Sequence, residues 1–459
     1  MSNETKMNDL PELKDIFNSF ECPPFSKLST TDYQEIQESA SILIDTYILE
    51  NVISMAEPNF HDTLFDSIYK LLELQCCDIY DFNIEEDLTK IISEVLYNYF
   101  GLIIPKRSYR TTFIRVENPN IKKLEEKIQD IVDRPQPEQR TDAWYEFRYN
   151  LITASSAWKV FESQSQQNQL IYEKCCPLNL AKYASSNTET PLHWGQKYEP
   201  VSVEYYEKKY KTTVSDFGCV PHHDYKCLGA SPDGINTDKK SVLYGRMLEI
   251  KNIVNREITG IPKKEYWIQM QLQMETCNLN ECDFLETRFK EYESHEAFQK
   301  DGTFTHTESG NLKGIMMYFI KDKRPHYEYA PLSCSEKEYE KWEQDMMEKN
   351  EELSWIKNIY WYLDEISCVL VLRNKEWFKA AIPFIEKTWD IIEKERVSGY
   401  AHRGPRTKKG ATKPKLNSKN KIPKQTIMKL DSCVIDTNQE APLIKVRTES
   451  FDSTTGSET

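Results

Sequence analysis

No stretch of this chain approaches the about 20 consecutive apolar residues that a membrane-spanning helix needs. The opening residues, MSNETKMNDLPELKD, lack the basic-then-apolar order of a secretory leader. These two absences predict a soluble, intracellular protein with no membrane partner. A disulfide framework is missing as well: 12 cysteines are spread irregularly over 459 residues, with adjacent pairs at Cys76-Cys77 and Cys175-Cys176. That pattern fits reduced thiols in a cytosolic or nuclear compartment. No internal repeat is visible. An overall positive charge is lacking too, since the net charge is −14, which on average argues against a nucleic-acid partner. The average hides an asymmetry. Residues 1–100 carry 20 acidic and 5 basic side chains, whereas residues 403–429 carry ten Lys/Arg and no acid. Charge separated in this way leaves room for a local DNA-binding surface.

The composition, 39% hydrophobic and 29% charged, is that of a globular protein long enough for two or three domains. Residues 1–132 read as an acidic, mainly helical region, because DYQEIQESASILIDTYILENVI and TLFDSIYKLLELQ place apolar residues three to four apart. DRPQPEQ (133–139) is a Pro-interrupted linker and a natural boundary. From Arg140 helices and short strands interleave, which predicts an α/β core over 140–331. Residues 332–398 read as a helical extension of that core, with the aromatic stretch WIKNIYWYLDE (355–365) as packing surface at helical spacing. Residues 399–459, basic and then Ser/Thr-rich, have little to bury and are expected to be disordered.

The chemistry-bearing residues cluster in SPDGI (231–235) and LEIKN (248–252). Pro232 and Gly234 set Asp233 in a turn, and fifteen residues separate it from Glu249, which with Lys251 lies two apart on one strand and therefore on one face. Ile250 points the other way, into the core. Two carboxylates beside an ammonium can hold a hard divalent cation, Mg²⁺ or Mn²⁺, with room for water and a phosphate oxygen. Acidic neighbours keep Lys251 protonated, so positioning and electrostatics suit it better than base catalysis. HWGQKYEP adds Glu199 on a preceding helix, and YWIQMQLQM adds Gln269, Gln271 and Gln273 among apolar neighbours, where buried amides need partners. Taken alone, Asp–gap–Glu-x-Lys also fits an ordinary surface hairpin.

In this order, FRYNLITAS (147–155), HWGQKYE (193–199), SPDG (231–234), LEIK (248–251) and YWIQMQ (266–271) resemble the lambda-exonuclease-like, or YqaJ-type, viral recombinase nucleases of the PD-(D/E)xK superfamily. The resemblance covers about 140–290. It implies a restriction-endonuclease-like α/β core, a mixed central sheet flanked by helices, with an N-terminal helical extension and a basic C-terminal tail. It implies a 5′→3′ exonuclease on double-stranded DNA, acting in recombination, repair or DNA processing beside a single-strand annealing protein, as a ring-shaped homotrimer. It makes Asp233 and Glu249 the metal ligands, with the Ile250 carbonyl as an additional one and Glu199 as a further candidate. Lys251 becomes the catalytic lysine and Gln269 the glutamine beside it. Arg148, Ser155 and Ser231 match a pocket for a 5′-phosphate, where a guanidinium and two hydroxyls supply donors. If the source is viral, the compartment is the host cytoplasm or nucleus.

Other groupings are weaker. Cys219-x2-His222-His223-x3-Cys227 has zinc-like residue types at a spacing that fits no common finger. The basic tail reads as a nonspecific DNA contact or a nuclear-import signal. Two alternatives stand beside the exonuclease: an endonuclease on the same scaffold, and a non-catalytic DNA-binding protein on a nuclease fold.

Overall fold

Alternating and continuous apolar runs build the sheet, and the helices cover both of its faces. The computed structural model describes residues 28–76, 84–113, 120–180, 188, 190–322 and 324–405. The tail expected to be disordered from residue 399 is ordered over 399–405, where a short 3-10 helix (Ala401–Arg403) is held by Arg403 to Glu395 at 2.6 Å; the same reading for 406–459 lies outside the described residues. In chain order the helices are α1 (Thr30–Glu50), α2 (Phe60–Cys76), α3 (Glu85–Leu102), α4 (Ile121–Asp133), α5 (Asp142–Tyr149), α6 (Ala154–Ala157), α7 (Gln164–Cys175), α8 (Pro191–Tyr210), α9 (Lys264–Cys277), α10 (His295–Lys300), α11 (Glu336–Lys349) and α12 (Lys375–Ser398). The strands are β1 (Ile152–Thr153), β2 (Val214–Ser215), β3 (Val220–Pro221), β4 (Leu228–Ala230), β5 (Gly234–Asn236), β6 (Met247–Asn252), β7 (Glu281–Glu291), β8 (Lys313–Lys321), β9 (Arg324–Tyr329) and β10 (Ser354–Leu372).

Seven strands form the main sheet in the order β2-β5-β6-β7-β10-β8-β9, and β1-β4-β3 form a small second one. In the main sheet β6 and β7 run parallel, with α9 as the crossover, and the other pairings are antiparallel. This is the mixed sheet flanked by helices that the sequence predicts. Leu248, Ile250 and Leu285 pack with Tyr206 of α8 on one face. On the other face Met247 and Phe284 join Trp267, Ile268 and Trp377 in a core that continues through the N-terminal helices (Ile44, Leu64, Ile91). The acidic helical region is thus fused to the sheet through shared apolar burial. The 109–113 segment is tied on as well: Tyr109 N–H donates to the Leu370 carbonyl at 2.9 Å, and the Thr112 hydroxyl donates to Asp283 at 2.5 Å. Among the described residues no helix is long and apolar enough to cross a membrane.

One expectation fails. Residues 354–372, read as part of a helical extension, are a 19-residue strand between β7 and β8 near the centre of the sheet. Ile359, Trp361 and Leu363 are buried at a spacing of two, and Val369 to Leu372 are buried continuously. That is the signature of a half-buried strand passing into a fully buried one. Register shifts at Trp355/Lys357 and Leu363/Glu365 break the alternation, and those breaks imitate a helical period.

Candidate active site

Asp233 lies in the short turn between β4 and β5, and Glu249 and Lys251 lie on β6. β5 pairs with β6 only at Met247 and Leu248, so the edge of β6 beyond Leu248 is open on that side. There the Asp233 Oδ2 replaces a strand and accepts the Ile250 N–H at 2.7 Å. In a strand the N–H and C=O of one residue leave on the same side. The Ile250 carbonyl therefore points toward Asp233, as a ligand role requires. The second oxygen of Asp233 has no hydrogen bond among the described residues and is open to an incoming group.

Glu249 is fully buried on the face covered by α9. Its Oε1 accepts from Gln269 Nε2 at 2.7 Å and from the Lys251 ammonium, and its Oε2 accepts from Gln273 Nε2 at 2.7 Å. Gln269 and Gln273 are four residues apart and share a helix face. Gln271 points elsewhere, donating to the Leu372 carbonyl at 2.9 Å and accepting the Asn374 N–H at 2.7 Å. Burial raises the Asp233 carboxyl well above its ordinary range, and Glu249 pushes the same way, only partly opposed by Lys251. Burial alone would lower Lys251, but Glu249 and Asp233 outweigh it and leave the ammonium more basic than usual. Its Nζ also lies 5.0 Å from the centre of the Tyr266 ring.

Two carboxylates that repel each other, one with a free oxygen, and a carbonyl aimed between them fit a divalent cation. Among the described residues no three His, Cys, Asp or Glu side chains group as a metal-binding set, so such an ion would rest on Asp233, Glu249 and the Ile250 carbonyl. Glu199 comes from α8, on the opposite face of β6, and is engaged by Arg140 Nη2 at 3.2 Å. Burial raises its carboxyl, Arg140 opposes this, and Asp216 and Glu249 add to the rise.

Arg148, Ser155 and Ser231 also converge. The guanidinium spans the two hydroxyls, with Nη1 to Ser231 Oγ and Nη2 to Ser155 Oγ both at 3.3 Å, and it lies 4.2 Å from the centre of the Trp144 ring. Lys174 Nζ donates to the Arg148 carbonyl at 2.6 Å, and Arg396 Nη2 donates to the Tyr149 carbonyl at 2.8 Å. These two cations cap the C-terminal end of α5. Burial first, and then Arg148, pulls the Lys174 ammonium down to about 7.

Of the three glutamines that the sequence singles out, Gln269 and Gln273 reach Glu249 and Gln271 does not. Arg140 and Lys174 left no local signal, because their partners are distant in sequence. The zinc-like grouping does not assemble. His222 Nδ1 accepts the backbone N–H groups of Asp224 and Tyr225, at 3.1 and 3.2 Å, and His223 turns to Asp224 at 3.1 Å.

Residues 143–280 match the family described as the YqaJ-like viral recombinase domain. That match covers less than a third of the chain and marks this stretch as similar to the family. The matched stretch contains Arg148, Ser155, Glu199, Asp233, Glu249, Lys251 and the glutamine helix. An uncharacterised protein of Acanthamoeba polyphaga mimivirus is 31% identical over 304 residues, covering 57% of this chain and 54% of its own length. The chain thus spans about half the length of that curated relative. Crystal structures of an alkaline exonuclease from Laribacter hongkongensis, one of them in complex with dAMP, align at 18% identity with a TM-score of 0.33, over 56% of this chain and 94% of theirs. The matched stretch is embedded in the larger fold: β8 to β10 extend its sheet, and the N-terminal helices complete its core.

Proposed function

We propose that this protein is a metal-dependent deoxyribonuclease that degrades duplex DNA from 5′ ends, in viral recombination, repair or DNA processing. The observation that carries the reading is a single turn serving two sites. In Ser231-Pro232-Asp233, Ser231 faces Arg148 and Asp233 faces the open edge of β6. Mg²⁺ or Mn²⁺ bound at Asp233, Glu249 and the Ile250 carbonyl supplies Lewis acidity toward a phosphate oxygen and the attacking water. Gln269 and Gln273 fix both oxygens of Glu249, so its carboxylate needs no reorganisation when substrate arrives. Lys251 keeps its proton, orients water and meets charge developing on the phosphate. Arg148, with Ser155 and Ser231, receives the terminal 5′-phosphate. The partners proposed are double-stranded DNA, a single-strand annealing protein and, by family resemblance, two further copies in a ring.

The test is digestion of matched linear and circular duplexes with and without Mg²⁺. Metal-dependent loss of linear DNA alone supports the exonuclease. Loss of both forms supports an endonuclease on this scaffold, and loss of neither supports a DNA-binding protein without catalysis.

A further inference from the structure

The segment between α4 and α5, which the sequence marks as a Pro-interrupted linker, is stitched along the β2–β3 connection. Arg134 Nη1 donates to the carbonyls of Pro221 and Thr276, at 3.0 and 2.7 Å. Gln136 Oε1 accepts the Gly218 N–H at 2.8 Å, and Gln139 Nε2 donates to the Phe217 carbonyl at 2.8 Å. The Thr141 hydroxyl then donates to the Glu138 carbonyl at 2.7 Å and accepts the Trp144 N–H at 3.2 Å, starting α5. Between these anchors stands Arg140, a non-glycine residue with φ of 69°. Its side chain is 51% exposed and reaches Glu199, which is 32% exposed. With both side chains reached by solvent and a contact of 3.2 Å, the pair adds little stability, less than a left-handed backbone costs a residue with a Cβ. Stability therefore does not account for an arginine at this position. A guanidinium carries five N–H donors; among the described residues that of Arg140 makes one hydrogen bond, to Glu199, a carboxylate close enough to Glu249 and Lys251 to feel their charge.

We infer that Arg140 is a substrate-positioning residue: the strap delivers its guanidinium to a backbone phosphate of the DNA strand entering the site, and Glu199 holds it when DNA is absent. The inference rests on the DNA-processing reading above and names a contact beyond the Arg148 pocket. A phosphodiester is a stronger, bidentate acceptor for a guanidinium than one carboxylate oxygen at 3.2 Å. Its entry would release Glu199 at the moment the site fills.

The experiment is a binding cycle by fluorescence anisotropy in Ca²⁺, on short duplexes carrying one neutral methylphosphonate linkage at successive positions. Cleavage of the unmodified duplex in Mg²⁺ is read in parallel. Arg140→Gln is expected to weaken binding about tenfold. At one linkage the methylphosphonate should weaken wild type by the same factor and leave Arg140→Gln unchanged. Arg140→Gly suits the left-handed backbone, so the same binding loss with an undiminished melting temperature assigns the effect to the guanidinium. Variants that bind as wild type, or losses that add at every linkage, overturn the inference. A wild type that cleaves without this coupling overturns the contact alone. A wild type that couples without cleaving overturns the nuclease reading and supports the contact.

Discussion

Asp233→Asn is expected to stabilise the metal-free protein while abolishing cleavage. The amide oxygen of Asn can still accept the Ile250 N–H that Asp233 accepts at 2.7 Å, so the turn keeps its anchor. What disappears is a carboxylate whose ionisation is opposed by burial and by Glu249. The sign follows from proton linkage. Below about pH 4 the Asp233 carboxyl is protonated in both folded and unfolded chains and costs nothing. Above that pH the unfolded chain ionises first, and wild type loses about 1.4 kcal/mol for each unit between the unfolded and the raised folded pKa, after which the loss is constant. The advantage of Asp233→Asn should therefore grow from acid toward neutral pH and then level off. Lys251 and relaxation of the site temper it, and a gain of about 0.5–2 kcal/mol is the range seen when strained functional groups are removed. The assay is thermal or urea unfolding in EDTA across pH 4 to 8. Adding Mg²⁺ or Mn²⁺ should reverse the order, because an ion at a hundred times its dissociation constant stabilises wild type by about 2.7 kcal/mol and the amide variant far less. A variant less stable than wild type at every pH, or equal stabilisation of both proteins by the ion, would refute the assignment of Asp233 to a strained ligand set.

Arg148→Ala should erase any preference for 5′-phosphorylated over 5′-hydroxyl duplex ends. The lost charge-assisted bonds are worth about 1.5–3 kcal/mol, roughly tenfold or more in initial rate on phosphorylated ends only; an equal loss on both ends would make Arg148 a general contact. Lys313→Met should destabilise the fold in urea unfolding, by about 1–3 kcal/mol for each buried acceptor left without a donor. The buried ammonium meets the carbonyls of Phe298, Asp301 and Thr303 at 2.6, 2.6 and 2.7 Å, and methionine strands all three. Deleting 406–459 removes nine of the ten cations of the basic stretch, leaving Arg403, which pairs with Glu395. If that stretch touches DNA, the slope of log K against log salt should flatten in the truncated protein.

The sheet's central pieces were legible where chemistry and periodicity coincide. LEIKN reads as a strand because Leu248 and Ile250 face α8 while Glu249 and Lys251 face α9, and the glutamine helix reads as buried because its amides sit among Trp, Ile, Met and Leu. β10 was not legible, because its two register shifts move the apolar face mid-strand and its partners β7 and β8 lie far away in sequence. Arg140 was hidden for a related reason. Its role depends on Gln136, Gln139 and Arg134 being pinned to backbone groups about 80 to 140 positions away, and a list of residues does not display such contacts.

If the chain cuts DNA as proposed, the spacing of the two sites sets where. Ser231 and Asp233 are two residues apart, and the chain between them spans at most about 7 Å. The turn is fixed at both ends, by Gln273 Nε2 on the Ser231 carbonyl at 3.2 Å and by the Ile250 N–H on Asp233 at 2.7 Å. Gln273 also holds Glu249, so one side chain locks the turn to the carboxylate it must work beside. A terminal phosphate bound at Arg148 and Ser231, as proposed, would then lie close to the open oxygen of Asp233. One nucleotide's backbone separates successive phosphates, so a strand seated in that pocket would present a linkage next to its 5′ end to the metal site. Products released from a 5′-phosphorylated linear duplex should therefore be one or two nucleotides long. Long oligonucleotides among the earliest products, resolved on a sequencing gel, would show that Arg148 and Ser231 do not measure from the end and would put the endonuclease first.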